Sequence, residues 1–357
     1  NAPIAGVLFA HEVILAHYAL RAFVPIVISS VAGTVIARIH FGAFPAFIIP
    51  EYQITSYWEF PAFALLGLTS AAVAIAFQFA LIATDRAARS FEVPLWIRPV
   101  VGGLMVGAIG VWFPQVLGVG YDATDAALNH YFPLWLLLTL IVAKTAATAI
   151  TLASRFGGGI FSPSLYLGAM AGAAFGIIAA GVFPEMASSD GLYAILGMGA
   201  VAAAVLGAPI STVLIVFELT GGFEMTIALL LAVSISTGLT QAVHGLSFFH
   251  WQLSSRGLFL QEGPHKHIVR SLKVGDFMTA VDAEDAEEIP EINEETPWLT
   301  QQDTVETALR TFDRVGKGRV MVVDARDTTR VIGWAEHVDA LDAFNTALIE
   351  ASVEEHR

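Results

Sequence analysis

The sequence predicts an all-α polytopic membrane protein with a small α+β domain at its C-terminal end, and three observations predict it. Of the 357 residues, 55% are hydrophobic and only 14% charged, and the mean hydropathy is +0.67, outside the range of ordinary soluble domains. Apolar runs cover residues 1–18, 22–39, 60–84, 94–115, 131–153, 162–183, 191–206, 207–221 and 224–243. Several are long enough to cross a bilayer core, and others read as shorter or broken helices. Composition then changes abruptly: residues 1–260 carry 8 basic against 11 acidic side chains, and residues 261–357 carry 10 against 21.

Taken in order, the first nine runs predict helices, and the glycines and prolines inside them predict helices that stop and restart at membrane depth. The stretch SFFHWQLSSRGL (247–258) is amphipathic and suits a helix leaving the membrane. The boundary falls near Gly257–Pro264, giving a membrane domain over 1–258 and a soluble domain over 259–357. Within the latter, AVDAEDAEEIPEINEETP (280–297) reads as an acidic, solvated loop. A helix follows over 304–316, a strand over 319–324, a turn at Ala325–Thr329, a strand over 330–336 and a final helix from His337. That alternation is too short for a full Rossmann sheet. The acidic tail argues against nucleic acid and anionic lipid as partners, and the absence of cysteine excludes disulfides and thiolate metal sites.

Two segments repeat. NAPIAGVLFAHEV (1–13) and GAPISTVLIVFEL (207–219) align without gaps, sharing Ala-Pro-Ile, Val-Leu and a glutamate, Glu12 or Glu218. A repeat at this separation is what a duplicated membrane domain leaves, often with inverted topology. The mirrored registers predict that Glu12 is a structural acid bonded to nearby backbone N–H groups. Glu12 and His11 also stand as candidate proton carriers.

The stretch SRFGGGIFSPSLYLGAMAGAAFG (154–176) carries the most chemistry. Gly157, Gly158 and Gly159 form a loop that opens a helix, and Pro163 sits where a first-turn proline is tolerated. A helix start leaves backbone N–H groups without partners and carries partial positive charge, so an uncharged start inside a membrane is a weak anion site. Lys144 and Arg155 flank the loop; each reads as a booster of the local potential or as a surface anchor or carboxylate partner. Gly168, Gly172 and Gly176 predict close helix packing.

On these motifs the chain resembles the CLC family of chloride channels and chloride/proton exchangers, followed by a CBS regulatory domain. GGGIFSPSL is similar to the family's G-x-F-x-P motif, NAPIAGVLF to its mid-chain helix pair, and GAPISTVLIVFELT to the partner of that pair. The resemblance implies an inverted repeat of tilted, broken helices, with residues 1–39 and 207–243 supplying much of a homodimer interface. It implies chloride held by the N–H groups of the helix start, at Gly159, Ile160 and Phe161. The family's tyrosine at the inner end of that site falls at Phe249, which has no hydroxyl. The family's internal proton glutamate falls at Val13, which tilts the expectation toward a channel, with a chloride/proton antiporter as the alternative.

The chain opens inside a motif, which predicts a natural start upstream of Asn1, with the family's outer gating glutamate and first selectivity motif on that side. VGDFMT (274–279), RVMVVD and VIGWAEHVDAL resemble parts of a CBS repeat. There Asp339 holds a position that contacts adenine nucleotide in some relatives, whereas Glu336 would repel phosphate. The resemblance implies a multi-pass protein of a bacterial inner (plasma) membrane with the C-terminal domain cytoplasmic. Other classes fit less well. HEVILAH (11–17) lacks the second histidine of a zinc-protease helix, where Leu15 stands. A secondary transporter of a small organic anion would want charged or amide side chains that the 154–164 loop does not offer beyond Arg155. No cofactor is expected.

Overall fold

A proline cannot donate to the turn before it, so it marks where an apolar chain restarts as a helix. Pro3 and Pro209 do this at the first turn of α1 (Pro3–Phe9) and α9 (Pro209–Thr220). In the computed structural model the described residues are 2–15, 18, 20–43, 47, 54, 57–90, 94, 96–184, 188–220, 225–245, 247–254, 272–281, 297–316, 318–325, 327 and 330–356. They fall into two compact units, Asn1–Arg256 and Gly257–Arg357.

In the first unit α1 continues through a π-helical turn, Ala10–Leu15, and α2 spans Leu20–Phe41. There follow α3 (Phe60–Ser90), α4 (Arg98–Trp112), α5 (Tyr121–Leu128), α6 (Leu134–Ala153), α7 (Phe161–Val182), α8 (Asp190–Leu206), α9, α10 (Thr226–His244) and α11 (Phe248–Ser254). Each of the nine apolar runs is a helix. Five of them, α2, α3, α6, α7 and α10, are long and apolar enough to cross a membrane, while Pro3–Leu15, α4, α8 and α9 are shorter. Residues 116–130 carry no apolar run, yet 121–128 form α5. It buries only Ala123, Thr124, Ala127 and Leu128, a stripe too short and too broken by Asp122 and Asp125 to read as a helix. His17, the 257–264 boundary and most of the acidic 280–297 stretch lie outside the described residues.

The centre of this unit is the α7–α8 pair. A Cβ at Gly172 would sit 2.1 Å from the Tyr193 carbonyl oxygen, and one at Gly168 2.3 Å from that of Gly197. The backbones therefore touch, and the small residues at four-residue spacing permit it. Ser189 caps α8, accepting from the Leu192 N–H, and Gly207 ends it in the left-handed region at φ 69°. Gln78 of α3 donates its amide to the carbonyls of Ala204 and Val205, satisfying part of the exposed end of α8. The chain restarts two residues after Gly207 as α9. A broken helix inside apolar surroundings thus has its backbone groups met by neighbours.

The second unit is a four-stranded sheet, β1 (Thr279–Ala280), β2 (Trp298–Thr300), β3 (Arg319–Val323) and β4 (Val331–Glu336), in the order β1-β4-β3-β2. β3 pairs antiparallel with β4, through an irregularity at Val322/Val323, and parallel with β2. Thr304 caps the helix Val305–Val315, which buries Val305, Ala308 and Phe312 and ends at Gly316, φ 65°. Ala308 and Phe312 join Val274, Leu299, Val320, Val322, Ala335 and Ala340 in a small core. The final helix runs His337–His356.

The touching backbones set a sharp requirement. Gly172→Ala is expected to lower stability by about 3 kcal/mol through overpacking. Gly181→Ala in the same helix, where an added Cβ meets nothing within 4 Å, should change it by less than about 1 kcal/mol. Thermal unfolding of the detergent-solubilised protein distinguishes the two.

Candidate functional site

Helix starts are the chemically active points of this fold, because each presents N–H groups with no partner inside the helix. At α1, the second and third helical residues, Ile4 and Ala5, donate to the Glu218 carboxylate at 3.1 and 2.8 Å. At α9, the corresponding Ile210 and Ser211 donate to the Glu12 carboxylate at 3.2 and 2.7 Å, and the Ser211 hydroxyl adds a further bond. Each acid lies near the end of one helix and caps the start of the other. The two copies of the repeat therefore lie side by side and antiparallel, as a local two-fold axis requires. A carboxylate on N–H donors at the positive end of a helix is held both by hydrogen bonds and by the dipole.

A third carboxylate was not legible as part of this pattern. Glu59, before α3, is 4% exposed. It accepts from the backbone N–H and hydroxyl of Ser188, immediately before the α8 cap, and from the Tyr193 hydroxyl at 2.6 Å. No spacing links residue 59 to residues 188 and 193, so only the fold brings them together.

The start of α7 is built differently. No side chain caps it. Among the described residues none accepts a hydrogen bond from the N–H groups of Gly159, Ile160 or Phe161, while the Ser164 N–H already donates to Ile160. Gly157, Gly158 and Gly159 are exposed, Ile160 is buried at 2% exposure, and Phe161 is half-buried. The Phe161 ring meets Phe9 of α1 edge-on at 5.7 Å, which ties this start to the reciprocally capped pair. The Ser162 hydroxyl donates away from the loop, to the Val119 carbonyl. What remains is a set of unspent backbone donors at the positive end of a 22-residue helix, with no fixed charge among them.

The other residues singled out from the sequence divide. Lys144, in α6, is 4% exposed and donates to the carbonyls of Val116 and Gly118. It is thus an interior cation rather than a membrane-surface anchor. Arg155 is exposed, just after α6, with φ 65°. Val13 is buried in the main core. His11 is 1% exposed and stacks against Tyr18 and Phe23 at 5.8 and 5.9 Å. Phe249, half-buried in α11, meets Phe248 edge-on, and no ring contact joins it to Phe161 among the described residues. In the second unit Asp339 lies half-buried in the first turn of the last helix. Glu336, at the end of β4, lies 3.9 Å from Arg319 on the neighbouring strand. Its charge is thereby partly met from within the sheet.

Broken apolar helices, an antiparallel repeat and an uncapped glycine-to-helix start define a polytopic membrane protein of inverted-repeat type. Residues 1–241 match the voltage gated chloride channel family, and the chain belongs to it. It is 33% identical over 266 residues to "Chloride channel protein CLC-e" of Arabidopsis thaliana, covering 67% of this chain and 38% of that one. It is 30% identical over 237 residues to "H(+)/Cl(-) exchange transporter ClcA" of Vibrio cholerae, covering 65% and 51%. The chain thus spans about half, or less, of the length of these relatives. Its fold is similar to that of a slow cyanobacterial Cl⁻/H⁺ antiporter, with a TM-score of 0.63 at 24% identity over 74% of this chain and 62% of that one.

The reciprocal caps carry a test. Glu12→Ala and Glu218→Ala are each expected to cost about 3 kcal/mol, because two or more charge-assisted bonds vanish and the helix-start donors are left bare. Glu12→Gln, which keeps one acceptor oxygen, should cost about half as much. Thermal melts showing one acid essential and the other dispensable would contradict the symmetric arrangement.

Proposed function

We propose that this chain forms the anion-conducting half of a chloride-transporting membrane protein that works as a homodimer, with Gly159, Ile160 and Phe161 holding the ion through their N–H groups. The uncapped start of α7 is the observation that carries the reading. The starts of α1 and α9 use a carboxylate, and a carboxylate at α7 would exclude an anion by charge. Backbone dipoles attract a halide without trapping it, which suits an ion that must leave again. Nothing at that start recognises a larger organic anion by hydrogen-bonding side chains. The activity is therefore transport of a bare ion, not catalysis.

Conduction without proton coupling is the favoured form. Val13 is aliphatic and packed in the core, so it relays no proton. Exchange remains a second reading, supported by the 30% identical relative that is itself named an H(+)/Cl(-) exchanger. Dimerisation is supported by α2, a 22-residue apolar helix of which no residue is buried in the single chain, lying beside the α1–α9 pair. On this reading residues 1–39 and 207–243 meet the partner. Residues 259–357 are a CBS-like regulatory domain on the cytoplasmic side of an inner membrane, and Glu336 leaves it poorly suited to adenine nucleotide.

Reconstitution in liposomes tests the reading. A chloride gradient should drive chloride flux with no uphill movement of protons. Proton uptake against its gradient, coupled to chloride exit, would replace the channel by an exchanger, and the absence of chloride flux would remove both.

A further inference from the structure

Where apolar helices reach a membrane surface, basic and aromatic side chains gather. The end of α3, the start of α4 and the end of α6 come together in this way. Residues 84–98 and 153–156 hold Arg86, Arg89, Arg98 and Arg155, four of the eight basic residues of positions 1–260, against Asp85 and Glu92. Arg89 takes up Asp85 at 2.7 Å, so the remaining balance is positive. The opposite ends of α4 and α6 are joined by residues 113–133, which hold Asp122 and Asp125 and no lysine or arginine. That asymmetry favours the cytoplasmic side for the arginine-rich end. Trp96, 76% exposed, stands two residues before α4.

The three helix ends enclose a cavity of about 330 Å³. Ala88, Val101, Met105, Ile150 and Ala153 form its apolar wall, and among the described residues Arg98 is its only charged lining. Val101 and Met105 are exposed, as are Leu104, Val111 and Trp112 further along α4, so the cavity opens onto an apolar outer surface. Gly102 lets α4 lie directly on the end of α6, because an added Cβ would collide with the Ser154 side chain. Beyond this contact a second depression between the same helices, walled by Ala108, Ile109, Val142 and Ala146, has no charged lining among the described residues. The α4–α6 surface is therefore charged at one end and apolar along the rest, which is the polarity of an amphiphile.

We propose that this surface binds an anionic phospholipid, with its phosphate at Arg98 and an acyl chain against Val101, Met105 and Ile150. A guanidinium carries five N–H donors in a planar fork that matches phosphate oxygens. Arg98 can therefore hold a phosphate alongside a partner within the protein. Arg86 and Arg155, exposed at the same end, raise the local potential. The start of α4 has no side-chain cap and adds the positive end of its dipole. A zwitterionic lipid brings an ammonium of its own that these groups repel, and inorganic phosphate brings no chain for the apolar wall. The acidic composition that argues against anionic lipid belongs to residues 261–357 and not to this end of the membrane unit. The proposal stands independently of how the protein moves ions.

Native mass spectrometry of the delipidated, detergent-solubilised protein tests it, with phosphatidylglycerol and phosphatidylcholine of identical chains as probes. Phosphatidylglycerol should bind about tenfold more tightly at the first site filled, the size of one charge-assisted contact. Arg98→Gln should abolish that preference, whereas Arg38→Gln, on α2, should leave it intact. Met105→Trp, which fills the groove, should weaken the binding of both lipids. Inorganic phosphate at equal concentration should not compete. Equal affinity for the two lipids would overturn the proposal, as would a preference that survives in Arg98→Gln or is lost equally in Arg38→Gln. Full competition by inorganic phosphate, or lipid binding indifferent to Met105→Trp, would show a site without an acyl groove and would overturn it too.

Discussion

Everything in the membrane unit depends on what satisfies the N–H groups of helices that begin inside apolar surroundings. Water is not there to do it, and each bare donor costs free energy comparable to a lost hydrogen bond. Glu12 and Glu218 meet the requirement reciprocally, one at the start of α9 and the other at the start of α1. Beside α8, Glu59 accepts from the Ser188 N–H just ahead of the helix, whose own start is capped by Ser189. These contacts bridge residues about two hundred and about one hundred and thirty positions apart, so the local need of a helix start also fixes the long-range topology.

The start of α7, like those of α4, α5, α6 and α10, has no side-chain cap, and it differs in this from α1 and α9. The Gly157–Gly159 loop before it lines a cavity, and among the described residues the N–H groups of Ile160 and Phe161 have no fixed acceptor. The packing explains how it is held there. Gly168 and Gly172 bring α7 against α8 at backbone contact, and Phe161 rests on Phe9. Apolar packing thus sets the position of this start, and among the described residues nothing supplies a counter-charge to it. Lys144 lies on the same cavity, its ammonium steadied by the carbonyls of Val116 and Gly118.

Much of this was legible in the sequence, for physical reasons. Apolar runs report helices because a bilayer tolerates little else, and the nine runs and nine helices correspond. The Pro and Glu registers of NAPIAGVLFAHEV and GAPISTVLIVFEL carried the reciprocal caps, since a proline marks the first turn and an acid at a fixed distance marks the far end. The glycine spacing in α7 reported the α8 contact. Helix α5 was not legible, because eight residues with two aspartates give no periodic signal. Glu59 was not legible either, because its donors come from a distant segment. For Lys144 the sequence left open a surface anchor or an interior charge, and the two carbonyl acceptors decide for the interior.

The starts of α1 and α9 are closed by carboxylates, and we propose that the start of α7 is open to an anion. Solid-state NMR of protein in lipid, with ¹⁵N placed selectively in isoleucine, phenylalanine and alanine, reads those amides one by one during a chloride titration. Saturable shifts are expected at Ile160 and Phe161, with Ile4, Ala5 and Ile210 unmoved. Unmoved amides at Ile160 and Phe161, or equal shifts at all five, would contradict it.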